Sequence, residues 1–216
     1  AMERAASGQK TVEDFKKEWT YGKQQDGTLI IRSYKGSGPV AEIPERIGKT
    51  LVTEIGEDLF AMANSRNIAV RRVFVPASVR TIAANAFDGG AELEEISVHP
   101  KNMAYRSEGG AIYQGNVLLR VPRGRQGSVS VAEETVEIAP GALRGCRMEE
   151  IVLPATVRSI GESAFEDCEK LRAIAIPAAC KVKERAFTGC RALAHISIGK
   201  GAVIEDFAFC ALQRRH

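Results

Sequence analysis

IVLPATVRSIGESAFEDCEKLRAIAIP, running from Ile151 to Pro177, is the stretch on which the reading of this chain turns. Two other segments repeat it. PASVRTIAANAFDGGAELEEISV spans Pro76 to Val98, and PAACKVKERAFTGCRALAHISI spans Pro177 to Ile198. Each carries a proline, two apolar positions, Ala-Phe, a small residue, then L-x-x-I-x-[VI]. The phenylalanine column sets the period. Phe165, Phe187 and Phe209 follow one another at a constant step of 22 in the numbering. Leu143 lies one such step before Phe165, and Phe60 and Phe87 hold the same column earlier. A Val or Ile stands five positions upstream of each: Ile55, Ile82, Ile138, Ile160, Val182 and Ile204. Self-similarity at a fixed period marks a chain that coils on itself, because one turn cannot bury its own apolar face and must stack on its neighbours.

The physics of a single turn follows from the residue types. Leu171, Ile174 and Ile176 read as the inward positions of a short strand, whose alternate residues face opposite sides. Pro177 ends that strand because it has no N–H to donate to a ladder. Ala164-Phe165 places a small residue where backbones crowd and an aromatic ring in the interior of the opposite arc. The outward strand positions then form two columns. One reads Arg72, Glu95, Glu150, Ala173, His195, and its neighbour reads Phe74, Ser97, Val152, Ala175, Ser197. These ten positions are the candidate interaction face, with Phe74 and Val152 as its exposed apolar members. The alternative is a face that is merely solvated.

A period near 22 falls inside the leucine-rich range of about 20–29 residues. The segments resemble the BspA-type leucine-rich repeats of bacterial proteins, with their pattern I-P-x-x-V-x-x-I-G-x-x-A-F-x-x-C-x-x-L. Ile151 to Pro177 matches it nearly completely, and the resemblance extends over residues 20–210. It implies an α/β, β-rich, right-handed leucine-rich-repeat solenoid. Short parallel strands would line a concave face, with short helical or irregular turns and short second strands elsewhere. Gly27 to Phe60 looks like the lead-in such proteins carry, and Asn102 to Gly124 like a hairpin-bearing turn. The expected organisation is a tail and capping helix over 1–19, a hairpin and lead-in strands over 20–54, the solenoid over 55–212 with an irregular hairpin insertion at 99–131, and a tail over 213–216.

Departures from the pattern mark where register is hard to read. Ala61 to Val70 replaces the short Cys-x-x-Leu connection, Leu143 stands for Phe, and Gly90 stands for Cys. Phe87 and Leu143 are separated by two and a half periods instead of a whole number, so an insertion lies between them.

For function the resemblance implies a non-catalytic protein–protein interaction or adhesion module. A structural or scaffold domain cut from a larger bacterial protein is the alternative. A third reading is an enzyme with a pocket in the 99–131 insertion, built from Tyr105, Tyr113, His99 and Arg120. No G-x-S-x-G, H-E-x-x-H or phosphate-cradling glycine loop occurs in the sequence. No catalytic residue, cofactor or metal is therefore expected.

Composition narrows the partners. Of 216 residues 26% are charged, with a formal net charge of +3, and 6% are aromatic without interleaving among the basic residues. Nucleic-acid binding calls for a clustered basic patch, so a protein partner is expected and nucleic acid is not. No apolar run approaches the length of a membrane helix. The segment from Ala1 to Lys10 lacks the apolar centre of a secretory signal. A native start at Met2 would place the chain inside the cell, and a removed leader would place it at the cell surface or outside.

Five cysteines are present, and Cys146, Cys168 and Cys190 share the spacing of the phenylalanines. In a solenoid they stack as a column. It reads as a site for small apolar side chains, which free cysteine fills well, and a redox or metal stack is the alternative. Adjacent Glu94-Glu95 sits one turn after Arg71-Arg72, which suggests charge pairing between rungs. At the amino end Thr11 and Asp14 give a capping-box signal, and Val12, Phe15 and Trp19 fall on one helical face. At the carboxyl end Phe209, Cys210 and Leu212 read as a last rung with no distinct cap, a candidate surface for end-to-end association.

Overall fold

The computed structural model of the chain describes residues 10–210. In order the elements are α1 (Val12–Glu18), β1 (Trp19–Lys23), β2 (Leu29–Tyr34), β3 (Val40–Glu42), β4 (Arg46–Ile47), β5 (Thr50–Ile55), α2 (Ala61–Ser65), β6 (Arg72–Val75), β7 (Thr81–Ile82), β8 (Glu95–Val98), β9 (Arg106–Glu108), β10 (Ala111–Gln114), β11 (Val117–Arg120), β12 (Ser128–Ser130), β13 (Glu137–Ile138), β14 (Glu150–Val152), β15 (Ser159–Ile160), β16 (Ala173–Ile176), β17 (Lys181–Val182), β18 (His195–Ile198) and β19 (Val203–Ile204). They wind into a leucine-rich-repeat solenoid whose successive rungs pair in parallel. The strand face carries β3-β6-β8 and then β12-β14-β16-β18. A second ladder carries β2-β5-β7 and then β11-β13-β15-β17-β19.

The Ala-Phe half-turn supplies a third line of hydrogen bonds. Leu143 N–H donates to the Ala164 carbonyl at 2.7 Å, Phe165 to Ala186 at 2.7 Å, and Phe187 to Ala208 at 2.8 Å. The backbone reaches this geometry by passing through the left-handed region at the residue before each Ala: Gly141 (φ 63), Ser163 (φ 54), Arg185 (φ 60) and Phe207 (φ 60). Only Gly141 takes that conformation without steric cost. The small residue at Ala164 and Ala186 lets neighbouring rungs approach along this arc, and both are fully buried.

The interior is the stack that the period implies. The Phe165 and Phe187 rings lie 4.8 Å apart at 15°, and Phe187 and Phe209 lie 4.8 Å apart at 4°. That spacing equals the distance between paired strands. Ile138, Ile160 and Val182 form the facing apolar column and are inaccessible to solvent. Burying each such side chain stabilises the fold by roughly 1.5–3 kcal/mol. The thiols of Cys146, Cys168 and Cys190 occupy a third buried column. Each donates to the main-chain carbonyl of the previous rung, to Val121, Leu143 and Phe165 at 3.3, 3.0 and 3.0 Å. Burial pushes the Cys146 thiol up to about 12, so it stays protonated at neutral pH.

The interior divides where the repeat is interrupted. One apolar cluster runs from Trp19 to Ile112 and a second from Ala111 to Ala208. Between them β9, β10 and β11 form an antiparallel meander, and both ladders break at that point. The register across the insertion is explicit in the hydrogen bonding. Val121 takes the phenylalanine column, since its N–H donates to the Ala142 carbonyl at 2.9 Å. It lies one and a half periods after Phe87 and a single period before Leu143.

The amino end departs from the sequence expectation in one respect. Thr11 and Asp14 form the reciprocal capping box, but α1 buries none of its residues and Val12 is 40% exposed. Trp19 lies beyond the helix in extended conformation and opens β1. It is buried there by strand pairing, with its ring 4.9 Å from Tyr34 and its indole N–H donating to the Glu42 carbonyl at 3.0 Å. The helix rests on the first cluster through the partly buried Phe15, and the hairpin takes the tryptophan. Leu212 and the residues after it lie outside the described residues. Among the described residues no helix is long and apolar enough to cross a membrane.

Candidate functional site: the strand face

Parallel pairing with alternate side chains makes the outward positions two continuous columns. Val40, Arg72 and Glu95 stand in register, as do Ser128, Glu150, Ala173 and His195 beyond the break. Beside them run Glu42, Phe74 and Ser97, then Ser130 and Val152, then Ala175 and Ser197. The ten sequence-derived positions therefore lie on one face in two groups, three rungs after the break and two before it. Val40, Glu42, Ser128 and Ser130 were missed. The two serines were legible, because Ser128 and Ser130 lie one full period before Glu150 and Val152.

The two halves of this face differ in chemistry. In the first, charges close on one another across rungs. Arg71 pairs with Glu94, Arg72 lies 3.8 Å from Glu95, and the Ser97 hydroxyl donates to Glu95 at 2.6 Å. Exposed pairs of this kind contribute only fractions of a kcal/mol, but they leave few unmatched charges. Phe74 is a correction to the sequence reading. It is half-buried rather than exposed, and His99, just past the end of β8 on the next rung, packs edge-on against its ring at 6.2 Å and 81°. In the second half Val152 is 58% exposed, and Ala173, Ala175, His195 and Ser197 are exposed beside it. They floor a shallow open depression of about 570 Å³ that Glu150 and Arg172 border.

The residues grouped for an enzymatic pocket do not converge. Tyr105 and Arg120 line one cavity of about 260 Å³ between β7 and β11. Tyr113 is buried elsewhere, its hydroxyl accepting from Ala132 N–H at 3.2 Å while Arg106 covers its ring at 4.5 Å. His99 is on the strand face against Phe74. Arg120 is itself committed. Its guanidinium donates to the carbonyls of Gly141 and Ala84 at 2.7 and 3.3 Å and pairs with Asp88. Burial lowers its pKa while the Asp88 carboxylate opposes that, and arginine keeps its charge in any such setting. Among the described residues there is no group of three or more His, Cys, Asp or Glu side chains that could hold a metal ion.

These features meet known proteins as follows. The profile of the BspA type leucine rich repeat region matches six copies, over residues 42–109 and 127–214. The unmatched segment between them coincides with β10 and β11. A leucine-rich repeat protein from Eubacterium ventriosum superposes with a TM-score of 0.61 at 23% identity, covering 76% of this chain and 43% of that one. One from Bacteroides ovatus gives a TM-score of 0.56 at 20% identity, covering 88% and 55%. The chain thus spans about half the length of these two proteins, and at such identities the likeness is one of fold. No curated protein matches the sequence. The repeat profile covers well over half of the residues, and the chain belongs to the BspA-type leucine-rich repeat family.

Proposed function

We propose that this chain is a non-catalytic protein-recognition module that binds through the second half of its strand face. The observation that carries the reading is the open surface at Val152, Ala173 and Ala175, whose small or apolar side chains are exposed in register, with the Arg172–Glu149 pair at 3.1 Å confined to its margin. Solenoid strands offer a long, regular surface on which side-chain identity changes rung by rung without disturbing the interior. A partner with a small apolar patch fits the depression, with Glu150, Arg172 and His195 as a polar border. Interfaces place energetically dominant contacts at such a desolvated centre and polar residues at the rim.

The test is a quantitative capture experiment with the native chain, Val152→Glu and Phe74→Glu. Introducing a charge at Val152 should weaken capture of a specific partner at least tenfold with the fold intact by circular dichroism. Phe74→Glu should cost less, because that ring is packed against His99 rather than offered to a partner. Equal capture by the native chain and Val152→Glu would place recognition elsewhere.

A further inference from the structure

At the ladder break the Ile82 carbonyl and the Tyr105 phenol proton have no hydrogen-bond partner among the described residues. Along the second ladder the carbonyls of Ile31, Ile55, Leu118, Ile138, Ile160 and Val182 each accept from the next rung, at 2.8–3.0 Å. Ile82 is the exception. Among the described residues no donor reaches its carbonyl. Its N–H, which the next rung's carbonyl would otherwise receive, donates to the Tyr105 phenol oxygen at 3.0 Å. The phenol stands in for a main-chain acceptor, and its own proton has no acceptor among the described residues. Burial pushes the Tyr105 phenol above its ordinary value, so that proton stays on the oxygen at neutral pH.

Ile82 and Tyr105 both line the cavity of about 260 Å³ between β7 and β11. Phe87, Ile112, Leu119 and Pro140 make most of the remaining lining apolar. The one charge there, Arg120, is answered by Asp88 and by two carbonyls. Burial of an ion would therefore gain no partner and lose its hydration. The volume falls just below the range of about 300–1,000 Å³ that holds drug-sized ligands, which suits one ring and one polar group.

We propose that this cavity is a binding site for a small neutral amide on an apolar body, its N–H meeting the Ile82 carbonyl and its C=O meeting the Tyr105 hydroxyl. The ligand supplies the peptide group that the missing rung would have contributed. This site is separate from the strand face, and Val152→Glu should leave it unaffected.

The test titrates benzamide into the ¹⁵N-labelled native chain and follows backbone amide shifts, with toluene and benzoate as comparators. Benzamide should give saturable shifts confined to the neighbourhood of Ile82, Ala83 and Ala139. Toluene, which lacks the donor–acceptor pair, and benzoate, which carries a charge, should bind at least tenfold more weakly. Ala84→Leu adds bulk to the cavity wall from an exposed position and should abolish saturable binding, while Tyr105→Phe should weaken it about tenfold. Absence of saturable shifts with benzamide, equal affinity for toluene or benzoate, or unchanged binding to Ala84→Leu would each overturn the proposal.

Discussion

Replacing Phe187 with alanine should destabilise the chain by about 3–5 kcal/mol, the range for removing a fully buried aromatic side chain. The ring is inaccessible to solvent and lies between Phe165 and Phe209, each with its centroid 4.8 Å away. Its loss removes the transfer contribution of the ring and two stacked contacts, worth about 0.5–1.5 kcal/mol each beyond burial. Because each rung contacts only its neighbours, the damage should stay local. The amides of Lys183 and Glu205, which donate to the carbonyls of Ile160 and Val182, should exchange hydrogen much faster in Phe187→Ala. The amides of Gly56 and Ala83, in the first half of the same ladder, should keep their native protection. Urea denaturation gives the size of the effect and hydrogen exchange gives its reach. Uniform acceleration across both halves would mean that the interior is not built as a series of stacked rungs.

The second large effect is expected at Arg120→Ala. Arg120 occupies the column that Ala142, Ala164 and Ala186 hold in later rungs, and it lines the cavity between β7 and β11. From there it ties Ala84 of the preceding rung to Gly141 of the following one and answers Asp88. Removing one member of a fully buried ion pair costs about 3–5 kcal/mol. The Asp88 side chain is 34% exposed and can recover some hydration, so about 2–3 kcal/mol is expected here. The more telling consequence is cooperativity. Trp19, the lone tryptophan, sits in the first cluster and reports on it alone. In the native chain its fluorescence and the far-ultraviolet circular dichroism should unfold together in urea. In Arg120→Ala the two transitions should separate, because the link between the halves is gone.

How much of this was written in the sequence depends on whether a residue's role recurs. The interior columns recur, and the constant spacing of Phe165, Phe187 and Phe209 places them correctly without reference to the structure. The charge pairing of Arg71-Arg72 with Glu94-Glu95 recurs in the same sense and is present between β6 and β8. The rung ending at Val121 was hidden because every marker fails there together. Val121 replaces Phe, Arg120 replaces Ala, and the ladder residue Leu118 stands three positions upstream where five is the rule. Tyr105 was singled out in the insertion, but its service as a substitute main-chain acceptor has no periodic signal. A side chain that fills a gap in the backbone ladder is specified by the gap and not by any repeat. Phe74 misled for a related reason. Alternation assigns it outward, and the non-repeating His99 packs against its ring.

The face itself was legible as a set of positions, since alternation along β6, β8, β14, β16 and β18 follows directly from the inward Val and Ile residues. The openness of its second half follows from the small or apolar outward residues Val152, Ala173 and Ala175, which alternation places in one file of rungs.

The central claim is that residues one period apart lie directly upon one another. Nuclear Overhauser contacts between aromatic protons, measured with the phenylalanines selectively labelled, test it without intermediaries. Cross-peaks should join Phe165 to Phe187 and Phe187 to Phe209, whose centroids are 4.8 Å apart, and none should join Phe165 to Phe209 two rungs away. Missing neighbour cross-peaks, or a direct Phe165–Phe209 contact, would contradict the stacked interior.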